Sequence, residues 1–320
     1  MTTSSPIVLF SSLSAKISLY EKVLQSARKF DERARVIGVD CDPDCRAASR
    51  VEEFARIPPL EEMDTETLTS YCQELKVTHV IPTRDAELAC WSTKRDHLKQ
   101  NGIQVMVSAQ RALKTCQDKL LFSSSLKSLA VRPIATSEHL STLPCNQFAV
   151  KERLGCASKS IGLNLDREKA MKHARSLERP IFQPMIQGSE FSAESWINSA
   201  GKCQSILLRW RSKVVDGEAH ESEIFENKEW EGSMQNAFEA IPGLSGHALG
   251  QVIVDSENCL HLVEINPRLG GASPLALTAG LSSIEWFLLQ STGRENEIPV
   301  QPPLNKKLKL RKVDGEAVIS

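Results

Sequence analysis

Short apolar runs alternating with amphipathic stretches set the rhythm of the first third of the chain. Residues 7–10, 36–39, 80–81 and 105–107 predict buried strands, and residues 20–30, 64–75 and 87–98 predict the helices between them. This alternation implies a parallel sheet with helices on both faces. Ligands of such sheets gather at the carboxyl ends of the strands, where the chain places Asp40 with Asp42, and Thr83-Arg84-Asp85 with Glu87. Further on, residues 148–151 form a short apolar run ending in Lys151, followed by a loop of small residues from Gly155 to Gly162. Residues 250–255 alternate, the polar turn Ser256-Glu257-Asn258 follows, and a second alternating run ends at Asn266, so the two runs predict an antiparallel hairpin.

Composition narrows the class without naming a function. In 320 residues, hydrophobic positions make up 41% and charged ones 25%, ordinary for a globular protein, and a net charge of −1 marks neither a nucleic-acid binder nor an anionic-membrane binder. The apolar run at residues 7–10 has no basic segment before it and reads as a first strand rather than a leader. No stretch is apolar for long enough to span a bilayer. Without a targeting segment, the expected location is cytoplasmic. Nine scattered cysteines argue against a disulfide framework; Cys41 and Cys45 are the only close pair and lack further ligands for a metal, so free thiols are expected. His247 and His261 flank the hairpin strands but join no ligand cluster, and both read as structural.

The chemistry concentrates at Leu262-Val263-Glu264-Ile265-Asn266-Pro267-Arg268-Leu269-Gly270-Gly271. Alternation puts Glu264 and Asn266 on one face of a strand and Val263 and Ile265 on the other. Pro267 cannot donate to a ladder and ends the strand. A carboxylate beside an amide oxygen suits a hard cation such as Mg²⁺, and an arginine just beyond suits the phosphate such a cation carries. Gln251 on the preceding strand is placed to face both. In residues 207–213, Arg209, Arg211 and Lys213 alternate onto one face. That face is either an anion-binding wall or a solvated surface paired with Glu218 or Glu221. The loop Ser11-Ser12-Leu13-Ser14-Ala15-Lys16 contains no glycine, which removes the G-x-G-x-x-G fingerprint of a nicotinamide-binding domain.

In their order along the chain, these segments resemble the ATP-grasp superfamily, with the nearest likeness to the ATP-grasp modules of the carbamoyl-phosphate synthase large chain. The likeness runs from about residue 6 to about residue 290 and is strongest at Glu264 to Arg268 and at Gln183 to Glu190. It implies an α/β protein in which an N-terminal parallel-sheet, biotin-carboxylase-like domain (residues 1–115) precedes a two-subdomain α+β ATP-grasp fold. The small subdomain would span residues 116–182, and the large subdomain with the metal site residues 183–320. With no second ATP-grasp copy, carrier domain or glutaminase in the sequence, a stand-alone enzyme is expected.

The resemblance also implies roles. Lys119 and Lys151 would bind phosphate, with Ser158 and Lys159 in the adjoining loop, although Ala157, Ser158 and Ser160 stand where relatives carry glycine. Gln183, Met185 and Ile186 would line the adenine site, with Pro184 in place of a commoner acidic residue and the donor to adenine coming from Met185 or Ile186. Glu190 would bind ribose. Gln251, Glu264 and Asn266 would hold Mg²⁺, with Mn²⁺ as an alternative. Arg268 and Lys151 would be catalytic. Arg84, Asp85 and Glu87 would touch the second substrate or else form the turn that caps the next helix. The implied activity is ligation of a small-molecule carboxylate, amino-acid-like in kind, to an amine or thiol through an acyl phosphate. A small-molecule kinase and a non-catalytic nucleotide binder are the alternatives. Nucleic acid and membrane are not expected partners, and a homodimer is left open.

Overall fold

The computed structural model describes residues 5–126, 129–155, 160–215, 217–300 and 302–320. The chain begins with β1 (Ile7–Phe10), α1 (Ile17–Phe30), β2 (Arg35–Asp40), β3 (Phe54–Arg56), α2 (Thr65–Glu74), β4 (His79–Ile81), α3 (Asp85–Gln100) and β5 (Gln104–Val105). The strands form an all-parallel sheet in the order β3-β2-β1-β4-β5. Alternate residues of each strand bury on opposite sides. Val8, Phe10 and Val36 pack with α1, while Leu9, Ile37 and Val80 pack with α2 and α3 around Leu68, Leu88 and Trp91. The helices therefore cover both faces, as the alternation predicted. Asp64 caps α2 by accepting from the Thr67 amide at 2.8 Å.

Next come α4 (Gln110–Gln117), α5 (Lys119–Ser125), β6 (Arg132–Pro133), β7 (Phe148–Glu152), β8 (Gly162–Leu165), α6 (Arg167–Ala174) and β9 (Pro180–Pro184). Strands β8, β7 and β9 form a small antiparallel sheet in that order. Gln183 pairs with Ala149 there, so the domain boundary expected after residue 182 falls inside a strand. The remainder is β10 (Ser189–Ile197), β11 (Cys203–Val215), β12 (Glu218–Phe225), α7 (Lys228–Glu239), β13 (Gly246–Val254), β14 (Leu260–Asn266), α8 (Ser273–Thr278), α9 (Ser283–Ser291), β15 (Lys309–Val313) and β16 (Glu316–Ile319). These build the largest sheet, ordered β16-β15-β12-β11-β10-β13-β14-β6. One of its faces packs on α7 through Met234, Ala237 and Phe238. Helices α8 and α9 close the same apolar cluster as α1, which fastens the large sheet to the N-terminal layer.

The predicted hairpin is β13–β14, and its register contains a correction. Gln251 pairs with Glu264, but Val252 pairs with Leu262, so Val263 is an extra residue. This β-bulge resets the alternation and lets both Leu262 and Ile265 enter the core beside α7. Val263, expected to share a face with Ile265, is only half-buried, whereas Ile265 is buried. Glu264 and Asn266 still share a face.

Among the described residues, no helix is long and apolar enough to cross a membrane, and the eight described cysteines are free. Between β9 and β10 the chain passes so close to β13 that a Cβ on Gly188 would lie 2.0 Å from the Val254 carbonyl oxygen. That oxygen is backbone and cannot swing aside. Gly188→Ala should therefore lower stability by about 1–3 kcal/mol, read as a reduced urea midpoint with an unchanged slope; an unchanged midpoint would show that this crossing has slack.

Candidate active site

Three segments carry the expected site residues, and their charged members Glu264 and Glu190 lie within electrostatic reach of Lys151. The first is the hairpin. Cross-strand register sets Gln251 opposite Glu264, and the Asn266 amide donates to Glu264 Oε1 at 2.6 Å. That contact leaves one oxygen on each of Glu264 and Asn266 with no hydrogen bond among the described residues. All three side chains are half-buried. A single carboxylate with two amides is a weak cage by itself, and no cluster of three His, Cys, Asp or Glu side chains suited to a metal occurs among the described residues. Mg²⁺ retains water and takes much of its ligation from phosphate oxygens, so such a donor set suits a nucleotide-borne cation.

The second wall is the small sheet with α5. Lys151 lies on β7, and burial lowers its ammonium from the ordinary value. Glu264 opposes that shift, Lys119 adds to it and Glu190 again opposes it. The electrostatic neighbours of Lys151 are thus residues expected at the same nucleotide. Lys119 opens α5 and donates to the Gly155 carbonyl at 2.9 Å. Asp118 caps that helix, accepting from the Leu120 and Leu121 amides, and pairs with Arg153 at 2.7 Å. Burial would raise the Asp118 carboxyl, but Arg153 and the cap amides hold it below the usual range. The sequence reading missed this Asp118–Arg153 clamp, which ties α5 to the end of β7. An acidic residue directly before a helical run was its visible sign. Ser158 and Lys159 lie outside the described residues.

The third wall is the connection from β9 to β10. Gln183 is buried, its amide donates to Thr136 Oγ1 at 2.8 Å, and its Oε1 has no partner among the described residues. A buried acceptor without a donor costs free energy unless something supplies one. An exocyclic amine on a bound base would do so, and on this observation the residues of this wall fit an adenine nucleotide. The Met185 N–H is already donated to the Gln147 carbonyl at 2.9 Å. Of the two expected adenine donors, that leaves Ile186; Met185 retains its apolar surface. Glu190 stands on β10 and accepts from Arg211 Nε at 3.1 Å.

Arg268 leaves the end of β14 and crosses to the N-terminal layer. Its guanidinium grips Asp85 with both arms, Nε to Oδ1 at 2.7 Å and Nη2 to Oδ2, and Nη1 donates to the Leu269 carbonyl. Asp85, expected as a helix cap or substrate contact, is the carboxylate that aims this arginine, and the capping falls to Glu87. Glu87 is also reassigned. It is buried, receives the Thr83 and Arg84 amides at 2.7 and 2.9 Å, and accepts from Ser11 and from Trp91 Nε1. It thus does the capping and is sealed from substrate. Arg84 is exposed.

The three basic residues of β11 go different ways. Arg209 is fully buried and donates to Glu194 Oε1 at 2.6 Å and to Ser222 Oγ at 3.1 Å. Arg211 turns to Glu190 and to the Gly217 carbonyl, and only Lys213 is exposed. Glu218 and Glu221, the expected partners, pair with Lys312 and Arg311 of β15. Glu194 also bonds His247, which in turn bonds Ser283 Oγ at 2.8 Å. Burial would raise the Glu194 carboxyl, yet Arg209, His247 and Ser273 outweigh it and hold it down to about 2. Ser273 Oγ also receives the Gly270 amide at 2.7 Å, so the network steadies the glycine turn after Arg268.

Residues 116–272 match a family model described as an ATP-grasp domain, and residues 8–106 match one described as a PylC-like N-terminal domain. Comparison with curated protein sequences finds no match. Several solved structures are similar. The biotin carboxylase domain of Hydrogenobacter thermophilus 2-oxoglutarate carboxylase, in complex with MgADP, ADP and bicarbonate, has a TM-score of 0.75 at 11% identity over 95% of this chain and 74% of that one. Staphylococcus aureus N5-carboxyaminoimidazole synthetase complexed with ADP has a TM-score of 0.74 at 18% identity over 96% and 82%. Bacillus licheniformis L-amino acid ligase has a TM-score of 0.70 at 16% identity over 97% and 80%. At these identities the likeness is one of fold.

The buried network makes a pH prediction. Because the Glu194 carboxyl is depressed from an ordinary 4.5 to about 2, its stabilisation is full above pH 4.5 and is lost as pH falls toward 2. The loss should be on the order of 3 kcal/mol. Glu194→Gln leaves Arg209 uncompensated and should cost about 3–5 kcal/mol at neutral pH. The gap between wild type and variant, measured by urea unfolding, should narrow between pH 5 and pH 2; a constant gap would mean the carboxylate is not held this way.

Proposed function

For a chain that carries an ATP-grasp domain behind a PylC-like N-terminal domain, we propose the activity of an ATP- and Mg²⁺-dependent ligase. It joins a small-molecule carboxylate to an amine through an acyl phosphate, forming ADP. The observation that carries this reading is the hairpin register. It puts Gln251, Glu264 and Asn266 on one patch, with Lys151 in the field of Glu264 and Glu190. The ADP complexes and the amino-acid ligase among the similar folds support it.

In this reading Gln183, Met185 and Ile186 seat the base, and Glu190 accepts from ribose hydroxyls. Lys119 and Lys151 spread phosphate charge at the end of the small sheet. Gln251, Glu264 and Asn266 hold Mg²⁺, which supplies Lewis-acid neutralisation of the phosphate oxygens when bound. Arg268 presents a planar fork whose direction Asp85 sets, and it stabilises the transferred phosphoryl group and the acyl-phosphate oxygens. No side-chain base is needed where an amine displaces phosphate from an activated acyl group.

Calorimetric titration with ATP and Mg²⁺, followed by a screen of amino acids and small carboxylates for ADP and phosphate release, tests the reading. Absence of binding at millimolar nucleotide would overturn it, and a stable phosphorylated product would move it to a kinase. Lys151→Ala should weaken ATP binding roughly ten- to a hundredfold, the worth of one charge-assisted hydrogen bond. Glu264→Gln should retain the fold and lose most turnover; wild-type turnover at low Mg²⁺ would remove Glu264 from the metal site. Arg268→Lys should lower turnover by more than it weakens ATP affinity, the mark of an interaction made mainly in the transition state. Unchanged turnover with much poorer ATP binding would instead make Arg268 a ground-state nucleotide contact.

A further inference from the structure

At the carboxyl end of the parallel sheet stand two cations, Lys16 and Arg84, that touch no carboxylate among the described residues. The loop after β1 folds over that end. The Ser11 amide donates to Ile81, the Leu13 amide to Val39, and the Ser14 amide to Asp40 Oδ2 at 2.8 Å. Ser12 and Ser14 hold φ of 54° and 48°, a left-handed backbone at two non-glycine positions. The fold brings Lys16 back beneath the loop, where its ammonium donates to the Ser12 carbonyl at 2.5 Å. Burial lowers this ammonium from its ordinary value; Glu87 and Asp40 oppose the shift, and Arg268 and Arg84 add to it.

The nearby acids are already engaged. Glu87 caps α3 and bonds Ser11 and Trp91; Asp40 receives the Ser14 and Asp42 amides; Asp85 holds Arg268; Glu218 pairs with Lys312. Thr83 Oγ1 donates to the Ser11 carbonyl at 2.6 Å and to the Ser12 carbonyl at 3.3 Å, the same Ser12 carbonyl that Lys16 bonds, so Arg84 follows directly on the residue that anchors this loop; among the described residues, neither Lys16 nor Arg84 forms an ion pair. A half-buried ammonium that touches no carboxylate is costly, and a ligand of opposite charge relieves that cost.

We infer that Lys16 and Arg84 form an anion-binding subsite at the mouth of the N-terminal sheet, and that the second substrate carries a carboxylate or phosphate group seated there. This rests on the ligase reading, in which that mouth faces the substrate on the far side of Arg268 from the nucleotide. The anionic group anchors the substrate and takes no part in the bond that forms.

The full chain labelled with ¹³C at the lysine ε-carbons, with the Lys16 signal assigned through Lys16→Arg, provides the test. Acetate and inorganic phosphate are titrated separately at constant ionic strength. A saturable movement of the Lys16 signal is expected with the anion of the right class, and whichever of the two saturates identifies carboxylate or phosphate. Arg84→Gln should weaken that apparent affinity by about tenfold, as loss of one charge-assisted partner implies. A Lys16 signal that moves no more than those of exposed lysines, or an affinity that Arg84→Gln leaves unchanged, overturns the subsite. Adding ATP with Mg²⁺ to the same sample reads the Lys151 signal. If that signal stays still, the nucleotide reading fails whatever Lys16 does; if it moves while Lys16 stays still, only the anion subsite fails.

Discussion

The register of β13 against β14 is the constraint on which the site depends. Side chains in a strand alternate, so a slip of one residue would send Gln251, Glu264 and Asn266 to the opposite face. The other face prevents that slip. Val252, Val254, Leu262 and Ile265 are buried against α7, and Gly250 leaves only the space that Met234 and Phe238 fill. The bulge at Val263 reconciles the two demands. It spends one residue to bring both Leu262 and Ile265 inward while Glu264 and Asn266 remain together on the polar side. Apolar packing thus positions the proposed metal donors without contacting the metal.

Buried charge then joins the layers. Arg209, Glu194 and His247 form a sealed network within the large sheet, and Ser273 extends it to the turn beyond Arg268. Arg268 itself is gripped by Asp85 of the N-terminal layer. A bidentate arginine–carboxylate pair fixes direction as well as distance. The proposed catalytic arginine is therefore oriented from one domain and supported from another, and the two layers also share the apolar cluster of α1, α8 and α9. Movement of the N-terminal layer would re-aim this fork, which couples the proposed substrate side to the phosphate side.

Much of the architecture was readable from the chain because its signals are local. Alternating runs located β1, β2 and β4 and the helices between them, and the polar turn at Ser256 to Asn258 announced the hairpin. Strand periodicity put Glu264 and Asn266 on one face before any partner was known. The grouping of Lys151, Glu190, Glu264 and Asn266 followed from the order of motifs rather than from any single residue.

Partner choice was not readable, because an ion pair depends on which elements meet in space. Residues 209, 211 and 213 alternate in sequence, yet Arg209 found Glu194, Arg211 found Glu190, and Lys213 remained exposed. Asp85 and Glu87 look alike as acids at the start of α3; only the packing of the layers made the first a clamp on Arg268 and the second a sealed cap. The bulge at Val263 was equally hidden, since Val263 and Leu262 are both apolar and only α7 distinguishes them. Local pattern, then, determined the elements and which side chains share a strand face. The tertiary structure decided which charges are paired, which are sealed and which are left exposed, because those outcomes are set by contacts between residues as far apart as Asp85 and Arg268.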